Sequence, residues 1–305
     1  MSRYRFIAAE RGHYPVRRLC QVLGVPASGF YAWQADRQRA VGPAKTPAWE
    51  TALVKVFGTH HRRYGTRRLR VALREKGHRV GRQRLRMAMR RRGLHALQPK
   101  AYTPRTTDST HGLRCAPNRL LDQPKPTQAN RVWVSDITYL PLANGTWAYL
   151  CAFQDVASKH VVGWYVAATM PEKLVTTALQ RAFLAQPPTP QLVVHSDRGG
   201  QYCGKAYRKL LHDHEAVRSQ SRRGDCYDNA LPGTTQAESL WSRFKTEVLE
   251  LREWPVFADL ADAQASVADY FDYYNHERLH SSIGYQMPYH THHQLLQTTA
   301  LNCPA

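Results

Sequence analysis

Three acidic residues, Asp136, Asp197 and Glu238, stand at positions where they can do chemistry. Asp136 lies within the alternating pattern Val-Ser-Asp-Ile-Thr-Tyr, Asp197 follows an apolar run, and Glu238 lies near the start of a helical pattern. Carboxylates held side by side repel one another unless a cation neutralises them. Ligands made only of oxygen favour magnesium or manganese, and two such ions about 4 Å apart can promote an in-line displacement at phosphorus. The three residues therefore predict a site for metal-dependent phosphoryl transfer.

The elements that must position these residues are predicted from the hydrophobic pattern after residue 130. Alternating apolar residues predict three consecutive strands, with Asn144-Gly145 as the first hairpin turn, and two later strands alternate with helices. The predicted strands cover residues 131–140, 147–154, 160–167, 191–195 and 216–219, and the predicted helices cover 172–184, 204–214 and 236–251. This order predicts an α/β fold with a ribonuclease H-like mixed sheet. Neighbouring first and fourth strands would bring Asp136 and Asp197 together.

Each acidic residue also has a local interpretation that involves no metal. Asp136 can hydrogen-bond the neighbouring Thr138, and Asp197 can serve as a turn residue before Arg198-Gly199-Gly200. Glu238 completes the pattern Thr235-Gln-Ala-Glu, in which a glutamate reaches back to the N–H of the residue that caps the helix. The sequence alone leaves these alternatives open.

Charge divides the chain at about the same place as the hydrophobic pattern. The net charge of the 305 residues is +20; residues 1–130 carry 28 Lys and Arg against 6 Asp and Glu, whereas residues 131–305 carry 15 against 17. Such asymmetry predicts a basic module that neutralises phosphates, joined to a module with another task. The alternative is a merely solubilising charged surface, but such surfaces usually mix both signs.

The basic half is predicted to be all-α and to bind DNA. Residues 1–45 contain two short helices joined by a tight turn of helix-turn-helix length, and residues 46–99 contain an Arg-rich helical hairpin. Arginines cover the outer sides of the second helix of that hairpin, as in a recognition helix that enters the major groove. They are Arg82, Arg84, Arg86, Arg90, Arg91 and Arg92. Residues 100–130 are rich in Pro and Thr and predict a linker to the catalytic core at 131–251.

The remaining features concern the cellular compartment and the C-terminal segment. Six cysteines occur without a Cys-x-x-Cys pair, and no apolar run has the length of a signal peptide or membrane span, which predicts a cytoplasmic, nucleoid-associated protein. Residues 252–305 predict a helical extension. Three of its histidines, His290, His292 and His293, lie close together in sequence but lack a carboxylate or cysteine that would complete a metal site.

Several motifs resemble those of bacterial insertion-sequence transposases of the DDE class, in particular the group whose second reading frame (OrfB) encodes a retroviral-integrase-type catalytic core. The matching motifs span roughly residues 131–290. They are Asp136-Ile-Thr-Tyr, Asp155 with Ser158-Lys159, Val162-Gly-Trp164, His195-Ser-Asp-Arg-Gly-Gly-Gln-Tyr202, Asp228-Asn-Ala230, Glu238-Ser, Lys245-Thr-Glu247 and Tyr274-Asn-His-Glu-Arg-Leu-His280.

The resemblance implies a polynucleotidyl transferase in which Asp136, Asp197 and Glu238 hold two Mg²⁺ or Mn²⁺ ions. It also implies that Lys245 contacts the element end, and that the enzyme works as a homo-oligomer on terminal inverted repeats and target DNA. A partner protein from an upstream reading frame is left open. Two alternatives remain, a DNA-binding repressor with an inert ribonuclease H-like domain and a ribonuclease H-type nuclease that cleaves without joining.

The chain departs from this family in the spacing before Glu238. Family members usually have 35 residues between the second aspartate and the glutamate, whereas 40 separate Asp197 from Glu238 here. Removing five residues, such as Leu231 to Thr235, restores the spacing and also the usual distance from Asp228-Asn-Ala230. We interpret this segment as an insertion and expect it to reduce activity while the fold is retained.

Overall fold

The computed structural model describes residues 3–39, 46–98, 115–121, 123–221 and 234–301. They belong to two compact units, residues 1–55 and 56–305. The first unit contains helices α1 (Arg3–Glu10), α2 (Val16–Val22) and α3 (Ala27–Arg39). Ile7, Cys20 and Phe30, one from each helix, are buried together and form its core.

The Arg-rich hairpin predicted from the sequence is present in the second unit. Helix α4 (Ala48–Thr59) crosses the division between the units and is followed by α5 (Thr66–Glu75) and α6 (Arg82–Arg91). The hairpin buries one apolar stripe, Leu69, Ala72, Leu73, Leu85, Ala88 and Met89. The arginines on the outer sides of α6 are exposed.

A five-stranded mixed sheet forms the centre of the second unit. Its strands are β1 (Val132–Pro141), β2 (Trp147–Asp155), β3 (Val161–Ala167), β4 (Val193–Ser196) and β5 (Val217–Gln220), and their order across the sheet is β3-β2-β1-β4-β5. The first three strands form an antiparallel meander, whereas β4 pairs parallel to β1 and β5 pairs parallel to β4. This topology is that of the ribonuclease H-like fold, so the predicted fold class is confirmed.

Helices cover both faces of the sheet. On one face α7 (Glu172–Ala185) and α8 (Lys205–Asp213) enclose an apolar core that includes Trp133 and Phe153. On the other face α9 (Thr234–Leu249) and α10 (Leu260–His276) pack against residues of β1, β2 and β3. A final helix, α11 (Pro288–Leu301), follows α10. None of the helices among the described residues is long and apolar enough to cross a membrane.

Three details differ from the expectations drawn from the sequence. Helices α1 and α4 have no counterpart among the predicted elements. Helix α9 begins at Thr234, so Thr235 lies inside the first turn and is not the cap that the Thr235-Gln-Ala-Glu pattern requires. Residues 252–259, predicted to be part of a helical extension, form bends and an isolated β-bridge at Phe257 before α10.

A glycine in β3 allows α7 to lie directly on the sheet. A Cβ added to Gly163 would lie 2.5 Å from the backbone nitrogen of Ala182 in α7. A Cβ atom does not approach a non-bonded backbone atom so closely, and the neighbour here is backbone on a packed helix that cannot move alone. Gly163 therefore sets the distance between β3 and α7.

We predict that Gly163→Ala destabilises the protein by about 1–3 kcal/mol, because the added methyl group overpacks this contact. The measurement is urea unfolding followed by tryptophan fluorescence. Gly58→Ala is the matched control, since Gly58 lies in helix α4 with open space around its Cβ position, and it should stabilise by about 0.5–1 kcal/mol. Equal unfolding midpoints for the two variants would contradict the proposed close contact.

Candidate active site

The parallel pairing of β1 with β4 brings two of the three acidic residues together. Val132 pairs with Val193 and Val134 pairs with His195. Asp136 and Asp197 each lie two residues beyond the last of these pairs, so the same register continued places them side by side. Both aspartates are half-buried.

A buried polar cluster lies next to the two aspartates, below the level of the strand ends. The hydroxyl of Tyr202, in the turn after β4, lies 2.9 Å from Ser135 Oγ on β1 and 3.8 Å from Cys151 Sγ on β2. Burial raises the pKa of Tyr202 well above its usual value, and the charges of Cys151, Asp197 and Asp136 raise it further. Burial likewise raises the pKa of Cys151 to about 12, with both aspartates again contributing. Both carboxylates thus act electrostatically on the same two buried groups.

The Asp136 carboxylate is oriented by two hydrogen bonds. The backbone N–H of Ile137 donates to Oδ1 at 2.8 Å, and the indole Nε1 of Trp241 on α9 donates to Oδ2 at 3.0 Å. A carboxylate has about four acceptor positions, so these two bonds fix its orientation without exhausting its capacity to bind a cation.

Asp197 does act as a turn residue, as the local interpretation proposes. Its Oδ1 accepts a hydrogen bond of 2.9 Å from the backbone N–H of Gly199, and its backbone oxygen accepts one of 3.0 Å from Gln220 Nε2. This role fixes the loop and orients the carboxylate. Because a carboxylate can accept several bonds at once, the turn role is compatible with metal binding.

Helix α9 reaches the aspartates through Trp241, a residue that the sequence reasoning missed. Lys245, one turn further along, lies close enough to Asp136 for the negative charge to act on it: burial lowers the pKa of Lys245, and Asp136 opposes that shift. Glu238 lies three residues before Trp241 in the same helix, and its side chain lies outside the described residues. The spacing 238, 241, 245 is a helical stripe, and this signal could have identified Trp241.

The other end of α9 is fixed by a buried ion pair. Nη2 and Nε of Arg278 donate to the two carboxylate oxygens of Glu247 at 2.6 and 3.0 Å, and the Tyr270 hydroxyl donates to Oε2 at 3.1 Å. Burial is the largest single influence and would lower the pKa of Arg278 and raise that of Glu247. The partner's charge and hydrogen bonds, together with neighbouring tyrosines and arginines, outweigh burial and shift both pKa values the opposite way. Both groups are therefore ionised in the interior.

The Arg-rich hairpin is tied to the chain segment that carries Arg278. The hydroxyl of Tyr64 donates to the Glu277 carbonyl and accepts from the Leu279 N–H, both at 3.0 Å. Nε of Arg68 on α5 donates to the Leu279 carbonyl at 2.8 Å. The hairpin, the segment after α10 and the C-terminal half of α9 therefore form one connected structure within the second unit.

The remaining predicted residues lie on elements other than those that carry the aspartates. Arg82, Arg84, Arg86, Arg90 and Arg91 are exposed on α6. His292 on α11 is fully buried, with Nδ1 3.0 Å from Ser158 Oγ and Nε2 3.2 Å from Gln186 Oε1, so both ring nitrogens have protein partners. The inserted segment of residues 231–235 lies outside the described residues except for Thr234 and Thr235, which belong to the first turn of α9.

The donor set suits a hard divalent cation. Asp136 and Asp197 offer only oxygen, and each is oriented by backbone or side-chain donors. Among the described side chains no group of three His, Cys, Asp or Glu converges, and the carboxylate of Glu238 is not one of those described. The described part of the site therefore consists of the two aspartates, Trp241 and Lys245.

The sheet order, the paired aspartates and the helix that approaches them define an integrase-type catalytic core, and comparison with known proteins agrees. Residues 126–226 and 218–288 match two models described as integrase core domain. The insertion element IS600 31 kDa protein of Shigella sonnei is 36% identical over 271 residues, which are 87% of this chain and 94% of that protein. The transposase InsF for insertion sequence IS3A of Escherichia coli strain K12 is 31% identical over 284 residues, 92% of this chain and 95% of that protein. The chain belongs to the IS3-type family of insertion-sequence transposases.

Solved structures similar to this chain include retroviral integrases. An intasome of simian T-cell lymphotropic virus has a TM-score of 0.47 at 13% identity, covering 79% of this chain and 74% of that chain. The HTLV-2 integrase catalytic core domain in complex with magnesium has a TM-score of 0.41 at 13% identity, covering 54% and 98%.

We predict that Glu247→Gln destabilises the protein by about 3–5 kcal/mol, because it leaves the buried Arg278 guanidinium without a counter-charge. The double variant Glu247→Leu/Arg278→Met should recover most of this loss, since it removes both buried charges together. The measurement is urea unfolding. Asp213→Asn is the control because it breaks the exposed pair with Lys209, and it should leave the unfolding midpoint unchanged. A single variant as stable as the native chain would show that the pair does not hold α9.

Proposed function

We propose that this transposase catalyses metal-dependent cleavage at the 3′ ends of its insertion sequence and transfers those ends to target DNA. Asp136, Asp197 and Glu238 are the proposed metal ligands, and two Mg²⁺ or Mn²⁺ ions are the proposed cofactors. The observation that carries the proposal is the β1–β4 register, which pairs Val134 with His195 and, continued by two residues, would align Asp136 with Asp197. Trp241 of α9 donates to Asp136.

The residues present fit such a cofactor. Bound Mg²⁺ or Mn²⁺ would activate the attacking oxygen and neutralise charge on the leaving oxygen. Asp136 and Asp197 supply oxygen donors whose orientation is already fixed by Ile137, Trp241 and Gly199. Glu238, Trp241 and Lys245 follow helical spacing on α9. This spacing supports the proposal that the Glu238 carboxylate lies on the same side of the helix as Trp241 and Lys245 and is the third metal ligand.

The proposed reaction consists of two displacements at phosphorus. In the first, a water oxygen attacks the phosphodiester at the element end; the bond between phosphorus and the 3′ oxygen breaks, and the strand leaves with a 3′-OH. In the second, that 3′ oxygen attacks a target phosphodiester, loses its proton and forms a new bond to phosphorus as the target's own 3′ oxygen leaves. Neither step needs a covalent bond to the protein.

Basic residues supply the proposed contacts with DNA. Lys245 lies near Asp136 and is suited to a phosphate next to the reacting one. The exposed arginines Arg82, Arg84, Arg86, Arg90 and Arg91 of α6 form a surface that can contact DNA in its major groove. The names of the IS3 transposase relatives support the inference that the substrate is DNA, and we propose that the protein assembles on it as a homo-oligomer.

Two other functions are distinguished from this one by their products. A ribonuclease H-type nuclease would cleave DNA ends without joining them, and a repressor would bind without doing either. Incubation of labelled element ends and a target plasmid with Mg²⁺ therefore separates the three, because only a transposase yields joined products.

We predict that Asp136→Asn and Asp197→Asn each abolish Mg²⁺-dependent cleavage and joining while duplex binding is retained, because each loses the charge of one proposed metal ligand. Asp269→Asn, a change at an exposed position on α10, is the control and should leave joining unchanged. The measurements are joined product and, separately, duplex affinity in EDTA. Joining at the native rate by Asp136→Asn would falsify the assignment of the site.

The anchoring of α9 bears on the five-residue insertion before Glu238. Trp241 contacts Asp136 and Glu247 pairs with Arg278, so the helix from residue 241 onward is held at two points. An axial shift of the whole helix would break both contacts. We infer that the extra length is taken up before Glu238, so that the insertion does not displace this residue. Activity should then be close to normal, whereas the sequence alone led us to expect reduced activity.

We therefore predict that deleting Leu231 to Thr235 changes the rate of Mg²⁺-dependent cleavage by less than about tenfold, equivalent to less than ~1.4 kcal/mol in the barrier. The measurement is cleavage of labelled element ends by the deletion variant beside the native chain. A much larger gain in rate on deletion would mean that the insertion displaces Glu238 in the native chain, since metal chemistry tolerates errors of only about 1 Å.

A further inference from the structure

A basic cleft lies beside α9, away from the stripe that faces Asp136. It has a volume of about 340 Å³ and is lined by four basic side chains, Lys125, Lys159, Arg243 and His280, together with hydroxyls that include Ser239 and Ser281. No carboxylate among the described residues lines it. The cleft therefore combines positive charge with small hydrogen-bond donors, which is the chemistry that recognises a phosphate group.

The position of the cleft on α9 follows from the helix geometry. At about 100° per residue, the buried residues Leu240 and Phe244 divide the helix surface into two sides. Trp241 and Lys245 lie on the side that faces Asp136, whereas Ser239 and Arg243 lie on the side that faces the cleft. The cleft is thus close to the proposed catalytic helix but distinct from the metal-binding stripe.

Lys159 is held in the cleft by an unusual backbone conformation. It has a φ of +68°, in the left-handed region where glycine or asparagine is favoured, yet the residue is a lysine and only 4% exposed. The tight turn between β2 and β3 fixes it: its N–H donates to the Asp155 carbonyl at 3.0 Å, and its Nζ donates to the Val156 carbonyl at 2.7 Å. A lysine amine buried in a strained turn, with one of its hydrogen-bond donors used by the Val156 carbonyl, has donors left for a ligand.

Hydrogen bonds from Gln154 connect the floor of the cleft to this turn. Nε2 of Gln154 donates to the Lys159 carbonyl at 2.9 Å and to the Tyr274 hydroxyl at 3.0 Å. Nε of Arg243 donates to Ser239 Oγ at 3.2 Å, which directs the guanidinium along the wall. Lys159 and Arg243 are therefore positioned before any ligand arrives, which reduces the entropy lost on binding.

Burial and neighbouring charges lower the pKa values of two basic groups in the cleft. Burial and then the charge of Lys125 lower the pKa of Lys159 to about 7, although Asp155 opposes the shift. Burial, followed by the charges of Arg278, Arg243 and Lys159, lowers the pKa of His280 to about 3. His280 is therefore uncharged at neutral pH, and an anion in the cleft would favour the charged form of Lys159.

We propose that the cleft formed by Lys125, Lys159, Arg243 and His280 binds a backbone phosphate of a DNA strand, on the side of α9 opposite the metal-binding stripe. This inference rests on the proposed function, because it assumes a DNA substrate. A strand held there would contact α9 next to Glu238, since Ser239 is the following residue. The contact would be independent of sequence, as phosphate contacts are.

The test is duplex binding by the full chain in EDTA, measured over a range of salt concentrations. The variant is Lys125→Gln/Arg243→Gln, two residues that are not fully buried, and the matched control is Lys173→Gln/Arg208→Gln, which removes the same charges from exposed sites on α7 and α8. We expect the cleft variant to bind a mixed-sequence duplex about tenfold more weakly than the control, with a salt slope lower by about one. Thermal unfolding should be the same for both variants.

A second measurement, with inorganic phosphate, distinguishes a cleft that binds DNA phosphate from one that binds free phosphate. If phosphate at constant ionic strength stabilises the native chain but not the cleft variant, while duplex affinity is equal for the variant and its control, the cleft binds free anions and the DNA proposal is wrong. Equal duplex affinity without any effect of phosphate overturns the site altogether. A native chain that fails to bind the duplex overturns both this inference and the proposed function. A native chain that binds but does not join ends overturns the proposed function alone.

Discussion

The structure around the proposed active site depends on one buried ion pair. Arg278 and Glu247 are both removed from water, a cost of several kcal/mol per ion that is offset only by good geometry and further hydrogen bonds. Here the geometry is bidentate, and Tyr270 donates a third hydrogen bond to the carboxylate. A pair of this kind gives little net stability but permits one arrangement only, because any other leaves a buried charge unpaired. It thereby fixes α9 relative to the segment after α10.

Two different physical constraints assemble the acidic residues. Asp136 and Asp197 are brought together by parallel strand pairing, in which a shift of one residue would turn Asp136 to the opposite face of the sheet. Glu238 depends instead on the axial position of a helix, and no sheet register determines it. The Glu247 pair and the Trp241 contact supply the missing constraint at two points along α9.

The order of strands and helices was predictable because the periodic spacing of apolar residues, about two residues in a strand and about 3.6 in a helix, is a local property of the sequence. The five strands and the helices between them appear within a few residues of their predicted bounds, and the adjacency of the first and fourth strands follows from the fold type. Long-range polar contacts were not predictable in this way. Trp241 and Asp136 are 105 positions apart, and Tyr64 and Glu277 are 213 apart, so no periodicity connects them. Glu247 and Arg278 appeared in the sequence only as parts of motifs, because their pairing requires the fold.

The placement of basic residues gives α9 a role beyond that of a scaffold for one carboxylate. One side carries Trp241 and Lys245 toward Asp136, the other carries Ser239 and Arg243 toward the basic cleft, and apolar residues anchor the helix between them. A helix held by its core and by an ion pair at its C-terminal half can present charge on both sides without moving. Phosphate contacts on either side would then position DNA relative to the same rigid element that positions the proposed metal ligand. The bound DNA and the proposed metal ligand would then both be positioned by a single helix, whose own position is set by buried contacts.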